Sequence, residues 1–195
     1  MNHDADSEHH VVTVWDRASH PQHELSFRHA EGFVHAAIAI LEEQRNADQA
    51  DYFNIAPAYF ALEHGIELFL KGAILLGDSS IAPEVLASKE LGHNLQRLYD
   101  RYLEIFVDDR YRMYHRIGEI IDWRATTNDP GGFALRYPFD RGGSLYGPGN
   151  LMIDVDLVLE ISREFLDDLG RLEQAVKEAQ GVRSCAIEQF RYRRE

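Results

Sequence analysis

Apolar residues recur every three or four positions in five stretches of the chain, and this spacing predicts amphipathic α-helices. The five predicted helices cover residues 24–48, 58–76, 93–106, 108–124 and 154–179, and a shorter helix is predicted at 83–88. Most of the links between them are short, and short links place successive helices antiparallel. The pattern therefore predicts an all-α fold, an up-and-down helical bundle of about five helices.

The stretch at 58–76 is apolar over most of its circumference, which is typical of a helix at the centre of a bundle. Its charged residues fall on one narrow line, with Glu63, Glu67 and Lys71 each four positions apart. Glu67 and Lys71 have the order that favours an i, i+4 ion pair. The sequence before this helix predicts a break, with Pro57 in the first turn of the new helix.

The regions outside the helices suggest three parts. We predict a partly flexible N-terminal arm at residues 1–24, the helical bundle at 25–179 and a basic C-terminal tail at 180–195. Within the bundle, residues 126–153 contain three Pro and six Gly and predict a long irregular loop. Loops of this length in a compact domain tend to be functional or mobile.

Charge and cysteine content narrow the function classes. The chain of 195 residues has a formal net charge of −13, so most of its surface repels nucleic-acid phosphate and any contact with RNA needs a local basic patch. It has a single cysteine, Cys185, which excludes an internal disulfide and suggests a reducing compartment. No signal peptide or membrane-spanning stretch is predicted, so we expect a cytoplasmic protein without membrane partners.

Three segments together resemble the HEPN (higher eukaryotes and prokaryotes nucleotide-binding) family. Residues 58–73 are similar to the second helix of HEPN domains, with Glu67 and Lys71 at the signature positions. Residues 92–98 are similar to the signature that opens the next helix, with His93 as its histidine. Residues 135–138, Leu-Arg-Tyr-Pro, are similar to a segment that precedes the last helix in one subgroup.

The resemblance implies a helical bundle that forms a homodimer, in which Glu67, Lys71 and His93 have structural roles. Many HEPN domains are RNases of prokaryotic defence or toxin–antitoxin systems. Others have no catalytic activity and pair with a nucleotidyltransferase or bind nucleotides.

The RNase members carry an arginine, four to six further residues and then a histidine, contributed by two protomers to one site. Histidine can transfer the proton of a 2′-hydroxyl and arginine can hold the scissile phosphate. Residues this frequent give about three such pairs by chance, and three are present, so the motif alone is uninformative. Arg110 and His115 are the best-placed pair, because they open the predicted fourth helix. Tyr111 stands where the family usually has a polar residue, which weakens the catalytic interpretation.

The subgroup with the arginine-tyrosine-proline segment commonly lacks that catalytic motif. Arg124, Arg136 and Arg141, with Tyr137, are candidates for a nucleotide- or phosphate-binding surface, because arginine binds phosphate and tyrosine stacks on a base. The alternative is that Arg136 pairs with a carboxylate of the bundle and Tyr137 packs against it.

Three hypotheses follow. The leading one is a non-catalytic HEPN-like interaction or nucleotide/RNA-binding module of a prokaryotic defence or toxin–antitoxin system, with a nucleotidyltransferase or another toxin–antitoxin protein as a possible partner. The second is a metal-independent endoribonuclease that uses Arg110 and His115 across a dimer. The third is a structural helical bundle without a nucleic-acid role. The sequence predicts no cofactor and no metal site.

Overall fold

The computed structural model describes residues 21–47, 51–86, 91–113, 115–126 and 153–192, without the side chains of 52–53, 115, 122–126 and 182–192. Every regular element in these ranges is helical, which confirms the all-α bundle. The elements are α1 Gln22–Asn46, α2 Tyr52–Gly77, α3 Pro83–Leu86, α4 Leu95–Ile105, a 3₁₀ turn Asp109–Tyr111, α5 His115–Thr126 and α6 Val155–Tyr192. No helix within the described ranges is long and apolar enough to cross a membrane.

Helix α2 lies at the centre of the bundle, in contact with α1, α4 and α6. Phe69, on α2, is fully buried and illustrates this position. Its ring centroid lies 5.5 Å from that of Phe27 on α1, 6.1 Å from that of Tyr102 on α4 and 6.3 Å from that of Phe165 on α6. One side chain of α2 therefore joins three other helices, as the apolar pattern of this segment predicts.

The contact between α1 and α2 depends on residues without bulky side chains. A Cβ atom added to Gly65 would lie 2.8 Å from Cγ2 of Val34 and 3.1 Å from the backbone oxygen of Ala30. A Cβ atom at Gly72, two turns further on, would lie 2.9 Å from Cε1 of Phe27. Real Cβ contacts are longer than this, so the two helices approach one another at a distance that only glycine permits.

The start of α2 and the end of α6 both differ from the sequence prediction. Helix α2 already begins at Tyr52, because the Gln44 side chain accepts a hydrogen bond from the N–H of Asp51 (2.9 Å) and the Asp51 carbonyl accepts from two following amides. Pro57 consequently lies inside the helix, near its start, where its missing N–H removes one helical hydrogen bond. Helix α6 does not end near residue 179 but continues to Tyr192, through Gly181, whose cost in an exposed helix is only about 1 kcal/mol.

Candidate functional site

A cluster of four ionisable side chains lies at the junction of α2 and α4, and we call it the Glu67 cluster: His64, Glu67, Lys71 and His93. At its centre, the Glu67 side chain is only 3% exposed. Lys71 Nζ, one turn further along α2, donates a hydrogen bond to Glu67 Oε1 at 2.6 Å. The ion pair that the i, i+4 spacing predicts is therefore confirmed, in a more buried setting than a surface pair.

His93 reaches the same carboxylate from another part of the chain. Its Nδ1 lies 3.0 Å from both Oε1 and Oε2 of Glu67. The residues on either side fix its position: Gly92 has a φ of 25°, which favours glycine, and Asn94 caps α4 by accepting a hydrogen bond from the N–H of Arg97 at 3.1 Å. Asn94 is thus the cap of α4, and His93 anchors the start of that helix to α2.

His64 is the fourth member of the cluster. Its Nδ1 lies 3.7 Å from Oε2 of Glu67, which is longer than a hydrogen bond but within ion-pair distance. Its ring stacks on Phe60 at a centroid distance of 5.6 Å and meets the edge of Phe33 at 4.6 Å. These aromatic contacts hold the imidazole beside the carboxylate.

The Glu67 carboxyl group stays charged although it is buried. Burial alone raises its pKa, because a charged group loses hydration in the interior. The interactions with His64, Lys71 and His93 oppose this effect and outweigh it, so that the pKa of Glu67 falls to about 2. The cluster therefore contains a permanent carboxylate at neutral pH.

The four side chains differ in their access to solvent. Lys71 is 17% and His64 24% exposed, whereas His93 is 47% exposed. Nδ1 of His93 faces the buried carboxylate, and Nε2 lies on the other side of the imidazole ring. His93 is thus the member of the cluster that a molecule in solution can reach most readily.

The residues proposed for catalysis are arranged differently from the prediction. The prediction that Arg110 opens the helix at 108–124 is wrong. Arg110 lies in the 3₁₀ turn, and the corresponding helix, α5, begins only at His115. The turn is not part of the helix because the backbone at Arg112 is extended (φ −65°, ψ 132°), and side chains hold this conformation by binding three carbonyl groups. Tyr102 Oη donates to the carbonyl of Tyr111, and Arg171 donates to the carbonyls of Arg110 and Arg112.

The Arg110 side chain is 60% exposed, with its guanidinium 4.7 Å from the centroid of the Tyr111 ring. The side chain of His115 lies outside the described residues, so the pair remains a prediction. The same holds for the candidate phosphate-binding surface: Arg124 is part of α5 but its side chain is not described, and Arg136, Tyr137 and Arg141 lie outside the described ranges.

A cleft of about 270 Å³ lies between α2, α5 and the start of α6. Its walls are mostly apolar and its polar groups include two carboxylates, with lining residues Tyr59, Glu119, Ile120, Ile153, Asp154, Leu157, Val158 and Ile161. Carboxylates repel phosphate, so this cleft does not suit a nucleotide. Within the described ranges, no group of three His, Cys, Asp or Glu side chains could hold a metal ion.

Two residues of these arrangements were not predicted to take part. His64 stands three positions before Glu67, so helical spacing alone could have suggested their contact. Arg171 binds carbonyl groups about 60 positions earlier in the chain, and no local pattern indicates such a contact.

No protein-family model, no curated protein and no solved structure matches this chain. The geometry described above is therefore the evidence for the candidate site.

Proposed function

We propose that this chain is a HEPN-like module that binds a nucleotide or RNA and acts in a prokaryotic defence or toxin–antitoxin system. In this proposal it works in the cytoplasm, forms a homodimer and can pair with a nucleotidyltransferase or another protein of such a system. Its role is recognition, not catalysis.

One observation carries the proposal. Two separate segments of the family resemblance, the one with Glu67 and Lys71 and the one with His93, meet at the buried carboxylate of Glu67. Glu67 binds Lys71 of its own helix and His93, 26 positions further along the chain, and so forms a specific tertiary link between α2 and the start of α4. This link explains why Glu67, Lys71 and His93 occur together in the sequence. Isolated matches to a family pattern would have no such explanation.

The arrangement around Arg110 favours binding over catalysis. Its guanidinium is exposed but already has partners, because its Nε lies 3.9 Å from Oδ2 of Asp108 and it packs on the Tyr111 ring. A phosphate would have to replace the Asp108 carboxylate before Arg110 could take part in catalysis. The endoribonuclease that uses Arg110 and His115 remains the second candidate function, because an exposed arginine and the first residue of α5 are close in sequence.

Nucleotide binding predicts a rise in thermal stability. A ligand that binds only the folded chain at 100 times its Kd stabilises it by about 2.7 kcal/mol. For a chain of this size, we expect AMP or ATP to raise Tm by roughly 5–10 °C in differential scanning fluorimetry. Arg136→Ala should reduce this shift, and Arg163→Ala, on the exposed face of α6, should not. No shift with any nucleotide would contradict the proposal.

The two candidate functions differ in RNA cleavage. We expect purified protein with total RNA and EDTA to leave the RNA intact on a denaturing gel. Cleavage that disappears in His115→Ala would instead establish the endoribonuclease and reject our proposal. Cleavage that persists in that variant would point to a contaminant or another site.

A further inference from the structure

The His93 imidazole has a role in the fold and is also accessible from solution. It combines a buried hydrogen-bond partner on one side with access to solvent on the other. Neither structural anchoring nor the proposed function requires the ring to be half exposed. A purely structural link between α2 and α4 would be equally strong with the imidazole covered.

Glu67 determines which nitrogen of His93 carries the proton. A carboxylate with a pKa of about 2 can only accept hydrogen bonds at neutral pH, so Nδ1 must be the donor. In the neutral ring the other nitrogen, Nε2, is then an acceptor with an unshared electron pair. The same carboxylate–histidine arrangement orients imidazoles in metal sites and catalytic triads.

We propose that His93 is a ligand-contacting residue, which accepts a hydrogen bond at Nε2 from a bound nucleotide, with Glu67 as its positioning residue. This inference rests on the proposed function and names its contact. The complementary group is a hydrogen-bond donor, either a ribose hydroxyl or the exocyclic amino group of a base. Lys71 neutralises the Glu67 carboxylate, so that the buried negative charge beside His93 is compensated when a ligand approaches.

Chemical modification of the intact protein tests the inference. Diethyl pyrocarbonate forms a carbethoxy adduct at an unprotonated imidazole nitrogen and releases carbon dioxide and ethanol. Peptide mapping at pH 8 would follow His93 and, as the control, His35, which is 60% exposed and lies 4.0 Å from the exposed Glu31. We expect His93 to react at least as fast as His35 despite its lower exposure.

Protection by ligand then identifies the contact. At ten times its Kd, AMP should slow the modification of His93 about tenfold and leave His35 within about twofold of its free rate. Comparison of AMP with 2′,3′-dideoxy-AMP and with IMP distinguishes a ribose hydroxyl from an amino group as the donor. Loss of protection with one analogue and not with the other identifies the donor and supports the inference.

The outcomes separate this inference from the proposed function. A Tm shift with AMP that leaves His93 unprotected would overturn the inference and retain the function. No shift and no protection would overturn both. The ¹⁵N chemical shifts of His93 test the positioning role of Glu67. We expect only the Nδ1–H tautomer of His93 in the native chain, and a mixture of the Nδ1–H and Nε2–H tautomers in Glu67→Gln. An unchanged tautomer in that variant would reject the role of Glu67.

Discussion

Glu67→Gln should lower the free energy of unfolding by about 3 kcal/mol at pH 7. Removal of one partner of a buried ion pair costs about 3–5 kcal/mol, because the other charge stays in the interior without compensation. Lys71 keeps some contact with water, so the lower end of this range applies. Urea denaturation followed by circular dichroism measures the change, provided that the m-value stays the same.

A second ion pair in the chain supplies a matched control. Glu173 and Lys177 on α6 have the same i, i+4 order and the same 2.6 Å distance between Nζ and Oε1 as Glu67 and Lys71. Both side chains are more than a third exposed, and exposed pairs contribute about 0–1 kcal/mol. Glu173→Gln should therefore cost less than about 1 kcal/mol. An equal loss of unfolding free energy in both variants would show that burial does not increase the contribution of the Glu67–Lys71 pair to stability.

The same carboxyl group predicts how stability depends on acid. Its pKa is about 2 in the folded chain and 4.5 ordinarily, so the unfolded chain binds the proton first as pH falls. The stabilisation is complete above about pH 4.5 and is lost as pH falls towards 2, a total of about 3 kcal/mol. The difference between the native chain and Glu67→Gln should shrink over this window. A difference that stays constant from pH 7 to pH 2.5 would contradict the assignment.

Gly65→Ala should destabilise the chain although alanine is the better helix former. The new methyl group would meet the Val34 side chain and the backbone oxygen of Ala30, and a backbone atom cannot move without its helix. Overpacking of this kind costs about 1–3 kcal/mol, against a gain of about 1 kcal/mol in helix propensity. Because a backbone atom must move, the upper part of this range, about 2–3 kcal/mol, applies. We therefore expect a net loss of about 1–2 kcal/mol, measured by thermal or urea unfolding.

Gly170→Ala is the matched control, because a Cβ atom there meets nothing within 4 Å. It should stabilise the chain by about 0.5–1 kcal/mol through helix propensity alone. The two variants should thus differ in sign and by roughly 5–10 °C in Tm. A Gly65→Ala variant as stable as Gly170→Ala would show that α1 and α2 can separate without cost.

The sequence predicted those features that depend on contacts within one helix. The apolar stripe of residues 58–76 indicated the central helix, and the i, i+4 spacing indicated the Glu67–Lys71 pair; both are confirmed. The interruption before α5 could not be predicted. The backbone there is held by Arg171, which binds carbonyl groups about 60 positions away, and local helix propensity does not indicate such a bond.

In the candidate site, too, contacts between different helices could not be predicted from the sequence. The family resemblance selected Glu67, Lys71 and His93, but did not indicate that the Glu67 carboxylate binds the side chains of both Lys71 and His93. The bond from His93 forms only when the start of α4 docks against α2, which is a property of the tertiary fold. At Pro57 a local signal was misleading. The proline predicted the first turn of a new helix, but α2 begins five residues earlier, where the Asp51 carbonyl accepts the first helical hydrogen bonds.

The central position of α2 has a consequence for hydrogen exchange. Its backbone amides are covered by α1, α4 and α6, so an opening that exposes them must separate α2 from all three. Their exchange should therefore proceed only through openings close to global unfolding. In α6, no side chain from 177 to 181 is fully buried, although Ala179 still packs against the core. The amides of these five residues should therefore exchange faster than those of α2, through openings smaller than global unfolding.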